Sequence, residues 1–253
     1  SHGVVLLEQL AIDYGAERRR LRVVKMRGIP FRGGYHDFTI QSGGLRIFPR
    51  LIAAEHHADF AAEVAPSGNA DLDALLGGGL ERGTNALLIG AAGVGKSSLA
   101  LTFAIAAAQR GEHVVIFAFD EGRGTAEARA RTLGLPLAET LASGHVRFRQ
   151  IDPAELSPGE FSMLIRDAVE KDNARLVIID SLSGYLNAMP DERFLVLQMH
   201  ELLTYLNQQG VLTLLVLAQH GLVGLSEPPI DISYLSDSVI MVRYFEAEGQ
   251  VRR

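Results

Sequence analysis

The feature that most constrains the fold is a glycine-rich stretch at residues 90–97, GAAGVGKS, which satisfies the pattern G-x-x-x-x-G-K-[ST]. The apolar residues 85–89 before it predict a short buried strand, and the alanine-rich residues 98–109 predict a helix. The glycines let backbone N–H groups face inward as a concave nest, and the helix start adds the positive end of its dipole. This arrangement suits a polyphosphate. A chance glycine-rich turn is the alternative, and it would not explain both flanks.

Two side chains in this glycine loop (residues 90–97) have expected roles. Lys96 is expected near the β- and γ-phosphates of ATP, and the Ser97 hydroxyl on Mg²⁺. The chain has 24 lysine and arginine residues but only three lysines, so a lysine here is unlike the chain's ordinary surface cations. The loop residues expected to bind ATP are Gly90, Ala91, Ala92, Gly93, Val94, Gly95, Lys96, Ser97 and Ser98.

Composition excludes several classes of protein. With 253 residues and 47% hydrophobic content, the chain is long enough to bury a sizeable core. It has no cysteine, which excludes disulfides and thiolate metal sites and fits a reducing, cytoplasmic location. We find no signal peptide and no apolar run long enough to span a bilayer, so the sequence predicts a soluble protein. The net charge of −6 argues against a general nucleic-acid binder.

The chain divides by pattern into three parts. Residues 1–50 are β-rich, with strands predicted at 3–7, 21–25, 36–41 and 45–48, and residues 51–66 predict a short helix or linker. From residue 67 to 253, apolar strands alternate with helices, which predicts an α/β fold with a mostly parallel sheet covered on both faces. Polar residues follow several of these strands, and ligands bind at the carboxyl ends of such strands.

Two short segments near the ends of the chain have similar sequences. GVVLLE at residues 3–8 resembles SVIMVR at residues 238–243. We therefore expect residues 1–50 to be the tail of a preceding, similar domain, and residues 67–253 to lack their own equivalent tail. A chance likeness of two β-strands is the alternative.

Acidic and amide side chains at the predicted strand ends suggest catalytic roles. Asp180 ends an apolar strand, as expected of the acidic residue that holds Mg²⁺ beside the glycine loop. Asp120 and Glu121 end another strand, and one of them is expected to deprotonate the attacking water. We favour Glu121, with Asp120 close behind; a helix-capping pair is the alternative. Gln219 ends a further strand and is expected to hydrogen-bond the γ-phosphate.

Several stretches together resemble the RecA-like ATPases, and within them the KaiC family of circadian-clock and clock-related proteins. These stretches are SGNADLD at 67–73, LLGGGL at 75–80, VIIDSL at 177–182 and DSVI at 237–240. Residues 3–50 resemble the closing strands of a KaiC-type first domain, so the likeness covers nearly the whole chain. It implies a RecA-like fold and tandem ATPase domains that form a hexamer of two stacked rings, with ATP at the subunit interfaces.

The resemblance also implies roles for individual residues. The family's K-x-R-G stretch, which reaches a neighbouring subunit's nucleotide, maps onto Lys25 and Arg27, which would serve the first ring; a solvated strand face is the alternative. The family's acidic pair maps onto residues 120–121, where aspartate replaces the first glutamate and shortens its reach. The family phosphorylates itself at two adjacent hydroxyl residues. Ser233 keeps one of these positions, and Tyr234 replaces the threonine expected at the other, so a two-site phosphorylation cycle is not expected.

The resulting hypothesis is a KaiC-like ring ATPase that acts as a signalling or timing module, with Ser233 as a candidate autokinase site. The main alternative is a RecA-type DNA-dependent ATPase, but residues 221–233 contain no arginine or lysine for the DNA backbone. A small-molecule phosphotransferase would carry an arginine-rich lid, which we do not find. A nucleotide-locked structural scaffold also stays open.

Overall fold

An N-terminal sheet of four antiparallel strands opens the chain. The computed structural model describes residues 1–11, 15–187, 192–219, 235–247 and 250–252. The four strands are β1 (Gly3–Leu10), β2 (Arg18–Met26), β3 (His36–Gln41) and β4 (Gly44–Phe48), paired in that order. Both predicted strand pairs are thereby confirmed, with β1 and β2 extending beyond their expected bounds.

A short connecting segment leads from this sheet to the rest of the chain. It holds one 3₁₀ turn, Ala53–Glu55, and the strand β5 (Val64–Ala65), which pairs with β6 (Leu80–Glu81). Helix α1 (Ala70–Leu75) lies between these two strands. The side chain of Asn69 caps α1 by accepting hydrogen bonds from the N–H groups of Asp71 and Leu72, which explains where the helix begins.

The central sheet has six strands, and every neighbouring pair is parallel. Its strands are β7 (Asn85–Ala91), β8 (His113–Ala118), β9 (Val146–Gln150), β10 (Ala174–Asp180), β11 (Leu212–Gln219) and β12 (Ser238–Met241). Their spatial order is β12-β7-β11-β10-β8-β9. In register, Asp180 lies opposite Ala118, and Gln219 lies opposite Ala91, so the carboxyl ends of four strands meet at one edge.

Helices cover both faces of the central sheet, as predicted. They are α2 (Lys96–Gln109), α3 (Arg123–Thr132), α4 (Leu137–Ala142), α5 (Pro158–Glu170), α6 (Leu182–Asn187) and α7 (Glu192–Gln208). One buried cluster joins α2, α3 and α4 to alternate strand residues such as Leu88 and Ile178. The other joins α5, α6 and α7 to the residues between them, such as Leu87 and Ile179. The four inner strands β7, β11, β10 and β8 are thus buried on both sides, which explains their continuous apolar sequences.

The structure confirms the α/β fold of a RecA-like P-loop NTPase and departs from the sequence expectations in detail. The sequence pattern predicts a helix over residues 125–133, whereas α3 begins two residues earlier, at Arg123; α4 and α6 were not predicted. Both of these missed helices have only six residues, too few to give a clear apolar period. No helix within the described ranges is long and apolar enough to cross a membrane.

The N-terminal sheet packs against α5 and the segment before it. Asp37 on β3 accepts a 2.7 Å hydrogen bond from the Gly159 N–H in the first turn of α5. The Arg18 guanidinium donates to the carbonyl oxygen of Pro153 at 2.9 Å, and Phe48 is fully buried. At the other edge of this sheet, β1 has an exposed apolar surface. Its four consecutive apolar residues at positions 4–7 are 41–56% exposed.

Candidate functional site

The glycine loop lies between β7 and α2, and two of its glycines are required by its backbone. Gly93 has φ 76° and Gly95 has φ 111°, in the left-handed region that residues with a Cβ rarely adopt. Gly95 is also the N-cap of α2, so the loop runs directly into a helix N-terminus. The strand–loop–helix context predicted for the motif is therefore present, and it suits a phosphate group.

The ammonium group of Lys96 folds back over this loop. Its Nζ donates hydrogen bonds to the carbonyl oxygens of Gly90, at 2.8 Å, and Ala91, at 2.7 Å. The residue is only 7% exposed, and burial lowers the pKa of the ammonium while the charge of Asp180 opposes that shift. Both acceptors are neutral carbonyls, and an anionic phosphate oxygen would be a stronger partner for the same charge.

Ser97 and Asp180, the two residues expected to hold Mg²⁺, come together. Burial raises the pKa of the Asp180 carboxyl, while a side-chain hydrogen bond from Ser97 acts in the opposite direction. A half-buried carboxylate beside a hydroxyl supplies the hard oxygen ligands that Mg²⁺ prefers, usually with phosphate oxygens and water completing the shell. In the part of the chain that the structure describes, no cluster of three or more His, Cys, Asp or Glu side chains forms a separate metal site.

The acidic pair lies at the end of β8, next to Asp180, as the parallel sheet predicts. The N–H of Phe119 donates to the backbone carbonyl of Asp180 at 2.7 Å. Asp120 accepts a hydrogen bond from the Ser181 hydroxyl. Helix α3 has Gly122 as its N-cap, without any side-chain capping bond, so the capping alternative for Asp120 and Glu121 is not what the structure contains.

Glu121 is bound by an arginine of the following helix. Arg129 Nη1 lies 2.5 Å from Oε1 and 2.6 Å from Oε2 of the carboxylate. The two side chains are 30% and 20% exposed, respectively, so the ion pair is partly withdrawn from water. Arg129 was not among the site residues predicted from the sequence, where its only signal is a basic residue eight positions after Glu121.

The remaining expected site residues have different placements. The backbone of Gln219 lies beside Ala91 at the end of β11, but its side chain lies outside what the structure describes. Lys25 and Arg27 are exposed on the N-terminal sheet, where Lys25 pairs with Val4 and the Arg27 N–H donates to the carbonyl oxygen of His2. Ser98 lies in the first turn of α2. Ser233 falls outside the described residues.

Residues after β12 contact the glycine loop, which the sequence did not suggest. The Tyr244 hydroxyl donates to the Ala92 carbonyl oxygen at 3.3 Å and lies 3.0 Å from where a Cβ on Gly93 would be. The Val242 N–H donates to the carbonyl oxygen of Ile89 at 2.9 Å. These contacts join residues 242–244 to the glycine loop and to the strand before it, at the edge of the central sheet.

Known proteins resemble this chain over its full length. It is 26% identical over 258 residues to the circadian clock oscillator protein KaiC of Picosynechococcus, covering 100% of this chain and 49% of that protein. It is 26% identical to KaiC of Synechococcus elongatus, covering 100% of this chain and 48% of that one. The circadian clock protein KaiC3 of Synechocystis is 27% identical, with 99% and 49% covered. The chain thus spans about half the length of these curated relatives.

The match to a protein family agrees with the geometry described above. The family model for the KaiC ATPase matches residues 65–253, which include the glycine loop, the whole central sheet and the strand ends that carry Asp180 and the acidic pair. On this match and on the fold, the chain belongs to the KaiC ATPase family.

Proposed function

We propose that this chain binds Mg·ATP at residues 90–98 and hydrolyses it. The observation that carries the proposal is the meeting of Lys96, Ser97 and Asp180 at the carboxyl edge of the central sheet. A buried ammonium, a hydroxyl and a half-buried carboxylate match a triphosphate with its divalent cation in both charge and ligand type.

Each residue in this proposal has a distinct role. Lys96 exchanges its two loop carbonyls for β- and γ-phosphate oxygens, and Ser97 and Asp180 hold Mg²⁺. The metal, when bound, neutralises charge that develops on the transferred phosphoryl group. Glu121 accepts the proton of the attacking water, because Asp120 has the shorter side chain and already accepts the Ser181 hydroxyl.

The chain offers a matched control for this proposal. Lys96→Ala should weaken Mg·ATP binding by at least about 100-fold, since it removes a charge-assisted contact to phosphate. Lys171→Ala removes another lysine, which is 70% exposed and pairs with Asp167 at the end of α5. This variant should bind Mg·ATP with the affinity of wild type. Calorimetric titration with Mg·ATP measures both. Equal binding by wild type and Lys96→Ala would refute the proposed site.

We further propose that residues 1–50 belong to a preceding ATPase domain and that the protein assembles as a hexameric ring. The open apolar edge of β1 supports this, since a strand buried on both faces has such a sequence. Lys25 and Arg27 would then serve a neighbouring subunit's nucleotide in the first ring. Replacing both by alanine should leave ATP hydrolysis at the glycine loop of this chain unchanged, and Mg·ATP should raise the mass of the assembly measured by light scattering.

We also propose a signalling or timing role for the protein, with autophosphorylation of Ser233. Label from γ-³²P-ATP should stay on the wild-type chain and be lost in Ser233→Ala. A DNA-dependent ATPase predicts a different result, namely stimulation of hydrolysis by single-stranded DNA. Hydrolysis that stays constant as DNA is added is the result we expect.

A further inference from the structure

One nitrogen atom holds the whole carboxylate of Glu121. Arg129 Nη1 lies 2.5 Å from one oxygen and 2.6 Å from the other, which places it between the two oxygens. This is the side on which both oxygens can share one donated hydrogen, so it is occupied by the guanidinium. A carboxylate bound in this way is poorly placed to take a proton from water.

The ion pair differs from the ordinary one on the same helix. Arg123 and Glu127 form an i,i+4 pair at 2.7 Å whose arginine is 61% exposed. Arg129 is less exposed, and its buried Nε has no hydrogen-bond partner among the residues that the structure describes. A buried guanidinium N–H without an acceptor is costly, so the present contact with Glu121 does not satisfy Arg129 fully.

Arg129 is also electrostatically close to the proposed metal ligand. Burial raises the pKa of Asp180, Arg129 lowers it, and Glu121 and Asp120 raise it. Arg129 is therefore a cation whose charge acts on Asp180 together with the charges of Glu121 and Asp120. An anion other than the nucleotide that bound beside Arg129 would compete with Glu121 for this cation.

We propose that Arg129 is a positioning residue that holds Glu121 out of the reaction, so that hydrolysis is slow until the guanidinium is drawn away. This rests on the proposed role of Glu121 as the base. Once released, the Glu121 carboxylate takes a proton from water, the water oxygen bonds to the γ-phosphorus, and the bond from that phosphorus to the oxygen shared with the β-phosphate breaks. ADP and phosphate leave, and the proton passes from Glu121 to solvent.

Steady-state hydrolysis by five variants of the whole chain tests this. Arg129→Gln should raise kcat about threefold to tenfold and change KM for Mg·ATP by less than about twofold. The double variant Arg129→Gln/Glu121→Gln should hydrolyse no faster than Glu121→Gln alone. Arg131→Gln, an exposed arginine on the same helix, should match wild type. Arg129→Lys should fall between wild type and Arg129→Gln, because an ammonium is a point charge on a flexible stem.

A binding measurement separates restraint from a direct role with nucleotide. At saturating Mg²⁺, a fluorescent non-hydrolysable ATP analogue should bind wild type and Arg129→Gln with affinities within about twofold. A tenfold loss of analogue binding, or a fall in kcat for Arg129→Gln, overturns the proposal. Glu121→Gln as active as wild type overturns the base assignment and this inference together. A rise in kcat that persists in the double variant overturns this inference alone.

Discussion

The carbonyl oxygen of Val242 lies 2.1 Å from the position that a Cβ on Gly90 would occupy. No residue other than glycine fits there without moving the backbone that follows β12, whose Val242 N–H already donates to the carbonyl of Ile89. The first glycine of the loop is therefore set by the packing of the sheet edge, whereas Gly93 and Gly95 are set by their own backbone angles.

Gly90→Ala should destabilise the chain by about 2–4 kcal/mol, because the new methyl group must push apart two backbone segments. Gly124→Ala is the matched control: it lies inside α3, where a Cβ would meet nothing within 4 Å. That substitution should stabilise the chain by about 0.5–1 kcal/mol through helix propensity. Urea denaturation of both variants measures these changes, and a Gly90→Ala chain as stable as wild type would contradict the packing.

Asp180→Asn should stabilise the nucleotide-free chain and remove its use of Mg²⁺. Burial raises the pKa of this carboxyl, so the charged form is disfavoured in the folded state at neutral pH, and an uncharged isostere relieves that cost. We expect a rise in Tm of about 2–4 °C. Thermal melts without ligand test the predicted stabilisation, and ATP titrations with and without Mg²⁺ test the predicted loss of Mg²⁺ dependence. A lower Tm would contradict the first expectation, and an intact Mg²⁺ dependence would contradict the second.

Stability without nucleotide should also depend on pH through Asp180. Because the folded pKa is raised, the folded state binds a proton more readily than the unfolded state. The resulting stability is present below the unfolded pKa and is lost as pH rises through the folded pKa. Wild type should therefore lose more stability than Asp180→Asn over that interval. Parallel pH–stability curves for the two proteins would show that Asp180 does not contribute.

Asp37→Ala should loosen the N-terminal sheet from α5. The variant removes the acceptor of the Gly159 N–H, and that backbone donor is left without its partner. Asp37→Asn keeps an acceptor oxygen at the same place and should preserve the docking. Hydrogen exchange across β3 and β4 measures the effect, and we expect about tenfold faster exchange for the alanine variant only. Equal exchange in both variants would indicate that the contact does not hold the sheet.

The part of the site that was predictable from sequence is the part encoded locally. The glycine-loop motif predicts the strand before it and the helix after it, and the apolar run before Asp180 places that carboxylate at a strand end. The acidic pair follows in the same way, because neighbouring parallel strands end at one edge.

The contacts that could not be predicted join residues that are far apart in the sequence. The contact of Tyr244 with Ala92 joins residues 152 positions apart, and that of Asp37 with Gly159 joins residues 122 apart. No periodicity or spacing in the sequence encodes such pairs. The binding of Glu121 by Arg129 is shorter in range, but it depends on where α3 begins, and the sequence placed that start two residues late.

A crystal structure with Mg²⁺ and a non-hydrolysable ATP analogue tests the central claim most directly. We expect the triphosphate on the glycine loop, with Lys96 Nζ moved from the carbonyls of Gly90 and Ala91 to phosphate oxygens. Ser97 Oγ should lie about 2.0–2.1 Å from Mg²⁺. A triphosphate bound elsewhere, or Lys96 still bonded to its own loop beside a bound nucleotide, would contradict it.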